Sequence, residues 1–124
     1  MSQRDDLVYI GHMMDTARKA IDFVAGLSRE DFDDNEQLRL AITYLLQIIG
    51  EAARRVSLEF RDTHPEIPWK AIVGMRSKVV HDYLNVDEDV VWDTVKNDLA
   101  PYSSGTRKTF AQILNNCLKF IKQE

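Results

Sequence analysis

This 124-residue chain predicts an all-α fold, an antiparallel bundle of about five helices, and two observations carry that reading. Apolar residues recur at spacings of three and four almost throughout, and no segment alternates apolar and polar residues as a half-buried strand does. Glycine and proline together number eight, too few for extended disorder, and a 44% hydrophobic share beside 29% charged residues is that of a globular protein. The expected organisation is one domain over residues 1–124, long enough for a substantial core and too short for separate catalytic and recognition domains.

The first helix is expected from about Asp6 to Ala25, with Leu7, Ile10, Met14, Ala17, Ile21 and Val24 on one stripe and Gly26 just beyond as a stop. Ser28 to Phe32 adds a short turn. The second helix spans about Asn35 to Phe60; Leu38, Ile42, Leu45, Ile49, Ala52, Val56 and Phe60 face inward, and Leu46 and Ile48 widen the stripe, so it is the central helix. Pro65 and Pro68 end it, and Pro68 suits the first turn of the third helix. That helix is expected from about Trp69 to Tyr83 or Leu84; Gly74 in its middle costs on the order of 1 kcal/mol relative to Ala, which predicts close packing there. Asn85-Val86-Asp87 is a break, with Asp87 as N-cap of a fourth helix through Val91, Trp92, Val95 and Leu99. Pro101 and Gly105 interrupt, and a last helix from roughly Thr106 to Lys122 buries Phe110, Ile113, Leu114, Cys117, Leu118 and Ile121. Surplus apolar surface on helices two and three predicts a partner, with a second copy of the chain as the candidate.

The formal charge of −4 argues against a protein that coats nucleic acid indiscriminately, because phosphate affinity comes mainly from Lys and Arg. Charge is uneven, however: Glu51 to Tyr83 holds six basic and five acidic residues, a balance of +1 in a chain that is elsewhere −5. Cys117, the single cysteine, excludes an intrachain disulfide and reads as a buried thiol without chemistry. No run approaches the roughly eighteen apolar residues of a membrane span, and the acidic N-terminus MSQRDDLVYI has no long apolar stretch, so the expected compartment is the cytoplasm.

Chemistry concentrates in Gly74-Met75-Arg76-Ser77-Lys78-Val79-Val80-His81-Asp82-Tyr83. Arginine offers a planar fork of donors that matches phosphate oxygens, and histidine both takes and gives a proton near neutrality. In a straight helix Arg76 and His81 would stand about 140° apart and about 7.5 Å along the axis, so a compact site calls for a second chain related by a twofold axis. Cleaving an RNA phosphodiester through its 2′-hydroxyl needs a base and an acid; two copies of His81 supply both, two copies of Arg76 stabilise the charge on phosphorus-bound oxygens, Ser77 and Lys78 add donors, and Tyr83 positions substrate or stacks on a base. A bare R-x-x-x-x-H is a weak pattern, and the plain alternative is an ordinary solvated helix face. His12 and His64 lack a second ligand at recognisable spacing, and H-E-x-x-H, paired cysteines, phosphate loops and a nucleophile elbow are absent, so no metal or cofactor is expected.

The segments IIGEAARRVS from Ile48, HPEIPWKAIVGMRSKVVHDYLNVD from His64 and VVWDTVKNDL from Val90 resemble the HepT-like group of HEPN domains, in close detail from about Leu38 to Pro101. The resemblance implies a HEPN-like helical bundle that dimerises. It also implies the toxin of a type VII-like toxin-antitoxin pair, a metal-independent ribonuclease whose R-x-x-x-x-H-x-Y motif lines a cleft between protomers. Arg76, His81 and Tyr83 match that motif position for position. It implies a partner too: an MNT-type nucleotidyltransferase antitoxin that in some members transfers AMP to the motif tyrosine, here Tyr83, opposing RNA by charge and bulk. The residue after the motif arginine is commonly Asn in the family and is Ser77 here, which keeps a hydroxyl and loses the amide's reach. Ser77 and the acidic net charge favour a rival, a HEPN binding module that keeps the nucleotidyltransferase partner without useful cleavage. A third reading, a helical dimerisation scaffold, leaves the decapeptide unexplained.

Overall fold

The computed structural model describes residues 3–65, 67–82 and 85–99, and over these the fold is all-α apart from one small ribbon. The expected last helix, Thr106 to Lys122 with Cys117, lies outside the described residues, and so does Tyr83.

Helix α1, Gln3–Val24, and helix α3, Glu36–Arg55, pack antiparallel and build the centre of the molecule. Their facing stripes seal Ile10, Met13, Ala17 and Ala20 of α1 against Ile42, Leu46, Ile49 and Ala53 of α3, all fully buried. Spacings of three and four place these residues on one side of each helix, and removing them from water is what holds the pair. Between the two helices, Gly26 has a φ of 75°, a left-handed turn that glycine adopts without a Cβ penalty, and α2, Arg29–Asp33, follows. Ser28 starts α2 as a reciprocal cap: its Oγ accepts from the Asp31 N–H at 3.1 Å, and Asp31 Oδ2 accepts from the Ser28 N–H at 2.9 Å. Phe32, fully buried with its ring 5.2 Å from that of Trp92, holds this short helix to the bundle.

The second helix expected as one rod is two. It ends at Arg55, Val56 is extended, and α4 runs Leu58–Thr63. Ser57 is the cause: its Oγ accepts from the Phe60 N–H at 3.1 Å and so opens a new helix, while Asp6 from the first turn of α1 accepts both the Ser57 N–H at 2.8 Å and its Oγ–H at 2.7 Å. Asp6 is 3% exposed, and its carboxylate is satisfied by these bonds.

The third helix also departs from expectation, ending well short of Tyr83. Trp69–Val73 forms α5, Gly74 intervenes, Met75–Val79 forms α6, and the chain then becomes extended as β1, Val80–Asp82, paired antiparallel with β2, Asn85–Val86. The rod is nearly continuous through Gly74, whose N–H donates to the Lys70 carbonyl at 3.0 Å and whose carbonyl accepts from the Lys78 N–H at 3.1 Å. Val80 is β-branched and suits the pleat, and the Asp87 N–H ties the ribbon to the end of α6 by bonding the Val79 carbonyl at 2.8 Å. Asp87 then caps α7, Glu88–Asp93, accepting from the Val90 N–H at 3.2 Å, as the sequence predicts. The helix continues as a wider π-helical run, Thr94–Leu99, that returns Val95 and Leu99 to the core. At the start of α7, Arg39 stands 3.7 Å from Glu88, one of whose oxygens is sealed without a partner among the described residues. Burial pushes the Glu88 carboxyl up against the opposing pull of Arg39 and Arg29.

Among the described residues no helix is long and apolar enough to cross a membrane, and no cluster of His, Cys, Asp and Glu is arranged to hold a metal.

Candidate active site

The decapeptide as far as Asp82 follows α5 and runs through α6 and β1, and Trp69 fixes where this strip begins. Its ring is buried edge-on to Phe60 with centroids 6.2 Å apart, and its indole N–H donates to the His64 carbonyl at 3.0 Å. His64 itself lies tilted against Phe60, with ring centroids 4.6 Å apart. Ile72, Met75 and Val79 then dock α5 and α6 against α3, and the opposite side, with Lys70, Ala71, Gly74, Ser77 and Lys78, faces solvent.

On that outer side Lys70, Ala71, Gly74, Ser77 and Lys78 line a pocket of about 340 Å³. Gly74 is its floor: a Cβ there would lie 3.2 Å from the Lys70 carbonyl oxygen. The close packing that the sequence predicts at Gly74 is not found: the residue is exposed, and its near neighbours are carbonyls of its own preceding turn. Ser77 and Lys78, both expected to position substrate, are brought together here. Lys70 joins them, although the decapeptide excludes it; its signal is the K-x-x-x-G-x-x-x-K spacing of Lys70, Gly74 and Lys78, one helical turn per step.

Arg76 occupies the second position of α6, about 160° around the helix from both Gly74 and Lys78 by helical geometry. His81 lies in the middle of β1. Because Val80 pairs with Val86 and Asp82 with Asn85, three residues of β1 oppose two of β2, and His81 is the extra one of a β-bulge. Arg76 and His81 therefore stand on different kinds of backbone, and the 140° relation of a continuous helix does not apply to them.

The other cations are largely engaged. Glu51 takes Arg54 at 2.7 Å and Arg55 at 3.4 Å, and the Arg54 hydrogen bond holds the Glu51 carboxyl below the usual carboxylate range against the opposing effect of burial. Arg29 meets Asp33 and Asp89, each at 2.8 Å. Arg61 donates to the carbonyls of Ala53, Arg54 and Val56, and Lys96 donates to that of Val24 while lying 5.0 Å from the Trp92 ring centroid. A second, larger groove of about 360 Å³ between α1 and α3 is lined by Tyr9, His12, Asp15, Thr16, Ile48, Glu51, Ala52 and Arg55. His12 reaches no metal-binding cluster among the described residues.

The family model described as Ribonuclease HepT-like matches residues 13–109, a span that contains the whole decapeptide. A provisionally named RNase of Methanocaldococcus jannaschii is 34% identical over 99 residues, covering 80% of this chain and 91% of that protein. A further provisionally named RNase, from Caldanaerobacter subterraneus subsp. tengcongensis, is 37% identical over 91 residues, 73% of this chain and 81% of the relative. A ribonuclease HepT of Thermococcus cleftensis, also provisionally so named, is 40% identical over 78 residues, 63% of this chain and 71% of its own. No solved structure matches the chain. With most of its length matched by the family model and a relative a third identical over nearly its full length, this chain belongs to the HepT-like ribonuclease family.

Proposed function

We propose that this protein is a metal-independent endoribonuclease that works as a homodimer, with Arg76 and His81 of both copies gathered at a cleft between protomers. The observation that carries the reading is the intact Arg76, His81 and Tyr83 of the R-x-x-x-x-H-x-Y pattern inside the span matched by a ribonuclease family. The bulge at His81 supports it, since bulges recur next to active sites. One His81 imidazole removes the proton from a 2′-hydroxyl, whose oxygen attacks the adjacent phosphorus. The other His81, protonated, gives its proton to the departing 5′-oxygen, and Arg76 stabilises the negative charge that builds on the non-bridging oxygens. The products are a 2′,3′-cyclic phosphate and a 5′-hydroxyl. Ser77, Lys78 and Tyr83 position the strand. Wild-type protein is expected to cut RNA in the presence of EDTA, as a dimer by light scattering, with cyclic phosphate at the new ends. Loss of cutting on chelation, or cutting by a monomer, refutes this chemistry.

In the cell the protein serves as the toxin of a type VII-like toxin-antitoxin pair, restrained by an MNT-type nucleotidyltransferase that transfers AMP to Tyr83. The phenol oxygen attacks the α-phosphate of ATP, pyrophosphate leaves, and the retained phosphate and nucleoside oppose RNA at the cleft. Incubation with the partner enzyme and ATP is expected to add one AMP mass at Tyr83, and modification confined to other residues defeats the assignment. The serine at position 77, in place of the family's commoner asparagine, favours one second reading: a binding module that keeps the nucleotidyltransferase partner and cleaves RNA poorly. RNA bound by wild type and left uncut is its signature.

A further inference from the structure

The pocket around Gly74 lies on the far side of α6 from the position of Arg76, and its residues take no part in the proton transfers of the cleavage step. We propose that Lys70, Gly74, Ser77 and Lys78 form a second phosphate site, which holds a backbone phosphate of the RNA strand several nucleotides from the bond that is cut. The inference rests on the ribonuclease reading above.

Four observations carry it. Lys70 and Lys78 stand two helical turns apart, about 12 Å along the axis, on either side of a residue with no side chain. Lys70, Ser77 and Lys78 line one open pocket of about 340 Å³ over the exposed backbone of Gly74, so that two lysines and a hydroxyl-bearing residue border the same concavity. Both lysines are exposed and meet no carboxylate among the described side chains, and Arg29, Arg39, Arg54 and Arg55 are all in ion pairs. Finally, the segment Ile67 to Val80 contains Lys70, Arg76 and Lys78 and no acidic residue. A solvent-exposed ammonium keeps solution counterions that a phosphate can displace, and that release drives binding to nucleic acid.

The source of the phosphate is an RNA backbone rather than a free nucleotide. The described lining contains no aromatic ring on which a base would stack, and two cations spaced along one ridge suit a repeating polyanion. Because an α-helix is about 10–12 Å across, a strand that touches both this pocket and the Arg76 side must span several nucleotides. Affinity for long strands therefore depends on the pocket, and affinity for a dinucleotide does not.

The test uses full-length protein carrying His81→Ala, which keeps RNA intact, and measures affinity for a long single-stranded RNA, a dinucleotide and ATP over a range of salt. On single strands the logarithmic salt slope is about −0.7 per neutralised phosphate, so adding Lys70→Ala and Lys78→Ala is expected to flatten it by about 0.7, the share of the one phosphate that the pocket holds. Lys70→Arg with Lys78→Arg restores the slope, and Gly74→Glu, which sets a carboxylate in the pocket, weakens binding of the long strand. Arg18→Ala with Lys19→Ala, exposed cations of α1, leaves the slope in place. Circular dichroism and melting establish that each variant is folded. An unchanged slope in the double lysine variant overturns the proposal, as do an equal flattening by the α1 pair, lysine-dependent binding of ATP but not RNA, or no measurable RNA binding at all. Lysine-dependent binding by a wild type that never cuts RNA sinks the nuclease reading alone, and cutting with an unchanged slope sinks the second site alone.

Discussion

Arg76→Ala and His81→Ala are each expected to lower RNA cleavage by about 10²–10⁴-fold while the protein keeps its fold. His81→Ala has the larger effect, because in a twofold arrangement it removes the base that activates the 2′-hydroxyl and the acid that protonates the leaving oxygen. Arg76→Ala removes charge stabilisation and leaves proton transfer in place; Arg76→Lys restores the charge without the planar fork and recovers only part of the rate. The shared cleft adds a sharper expectation. Mixing wild-type and His81→Ala proteins in equal amounts yields heterodimers with a single histidine at the cleft, which lack either the base or the acid, so activity falls to roughly a quarter of that of wild type alone. A site contained in one chain keeps about half under the same mixing. Full activity in the His81→Ala protein, or retention of half the activity on mixing, removes the two-copy mechanism.

Trp69→Ala is expected to cost about 3–5 kcal/mol, the range for emptying a large aromatic site from a core. Against a total stability of roughly 5–15 kcal/mol this is a large share, and the melting temperature falls on the order of 15 °C. Two losses combine: the ring leaves a cavity beside Phe60, and the His64 carbonyl loses the indole donor at 3.0 Å. Trp69→Phe retains most of the buried area, loses only the hydrogen bond, and shifts the melt by a small fraction of that amount. Because Trp69 is the first residue of α5, Trp69→Ala also lowers RNA cleavage at temperatures where the rest of the molecule is folded. A Trp69→Ala protein that melts with wild type shows that the indole does not anchor this strip.

Local pattern and tertiary choice divide what the sequence makes legible. Helix α1, the capped turn of α2 and the Asp87 start of α7 follow from apolar spacing, Gly26 and side-chain caps within three residues, all local signals. The break at Ser57 is only partly local: its serine caps α4 on the Phe60 N–H three residues on, and Asp6, 51 residues earlier in the chain, accepts its N–H and hydroxyl and holds the bend in place. The ribbon after Val79 is hidden for a related reason. Val79 and Val80 both continue the apolar spacing of the helix, and it is the pairing of Val80 with Val86 that makes the chain extended from Val80 on. At the site, the types and spacing of Arg76 and His81 are readable, but their relation in space is not, because it depends on where the helix stops. Lys70 escapes notice because its kinship with Lys78 runs through Gly74, a residue that reads as a local cost to helicity until the pocket above it is seen.

The pairing of Asp6 with Ser57 also carries a lesson about the order of assembly. A carboxylate in the first turn of α1 holds the direction in which the backbone leaves α3, and its two hydrogen bonds form only once those helices lie side by side. The elbow therefore has a local half, the serine on the Phe60 amide, and a half that docking supplies.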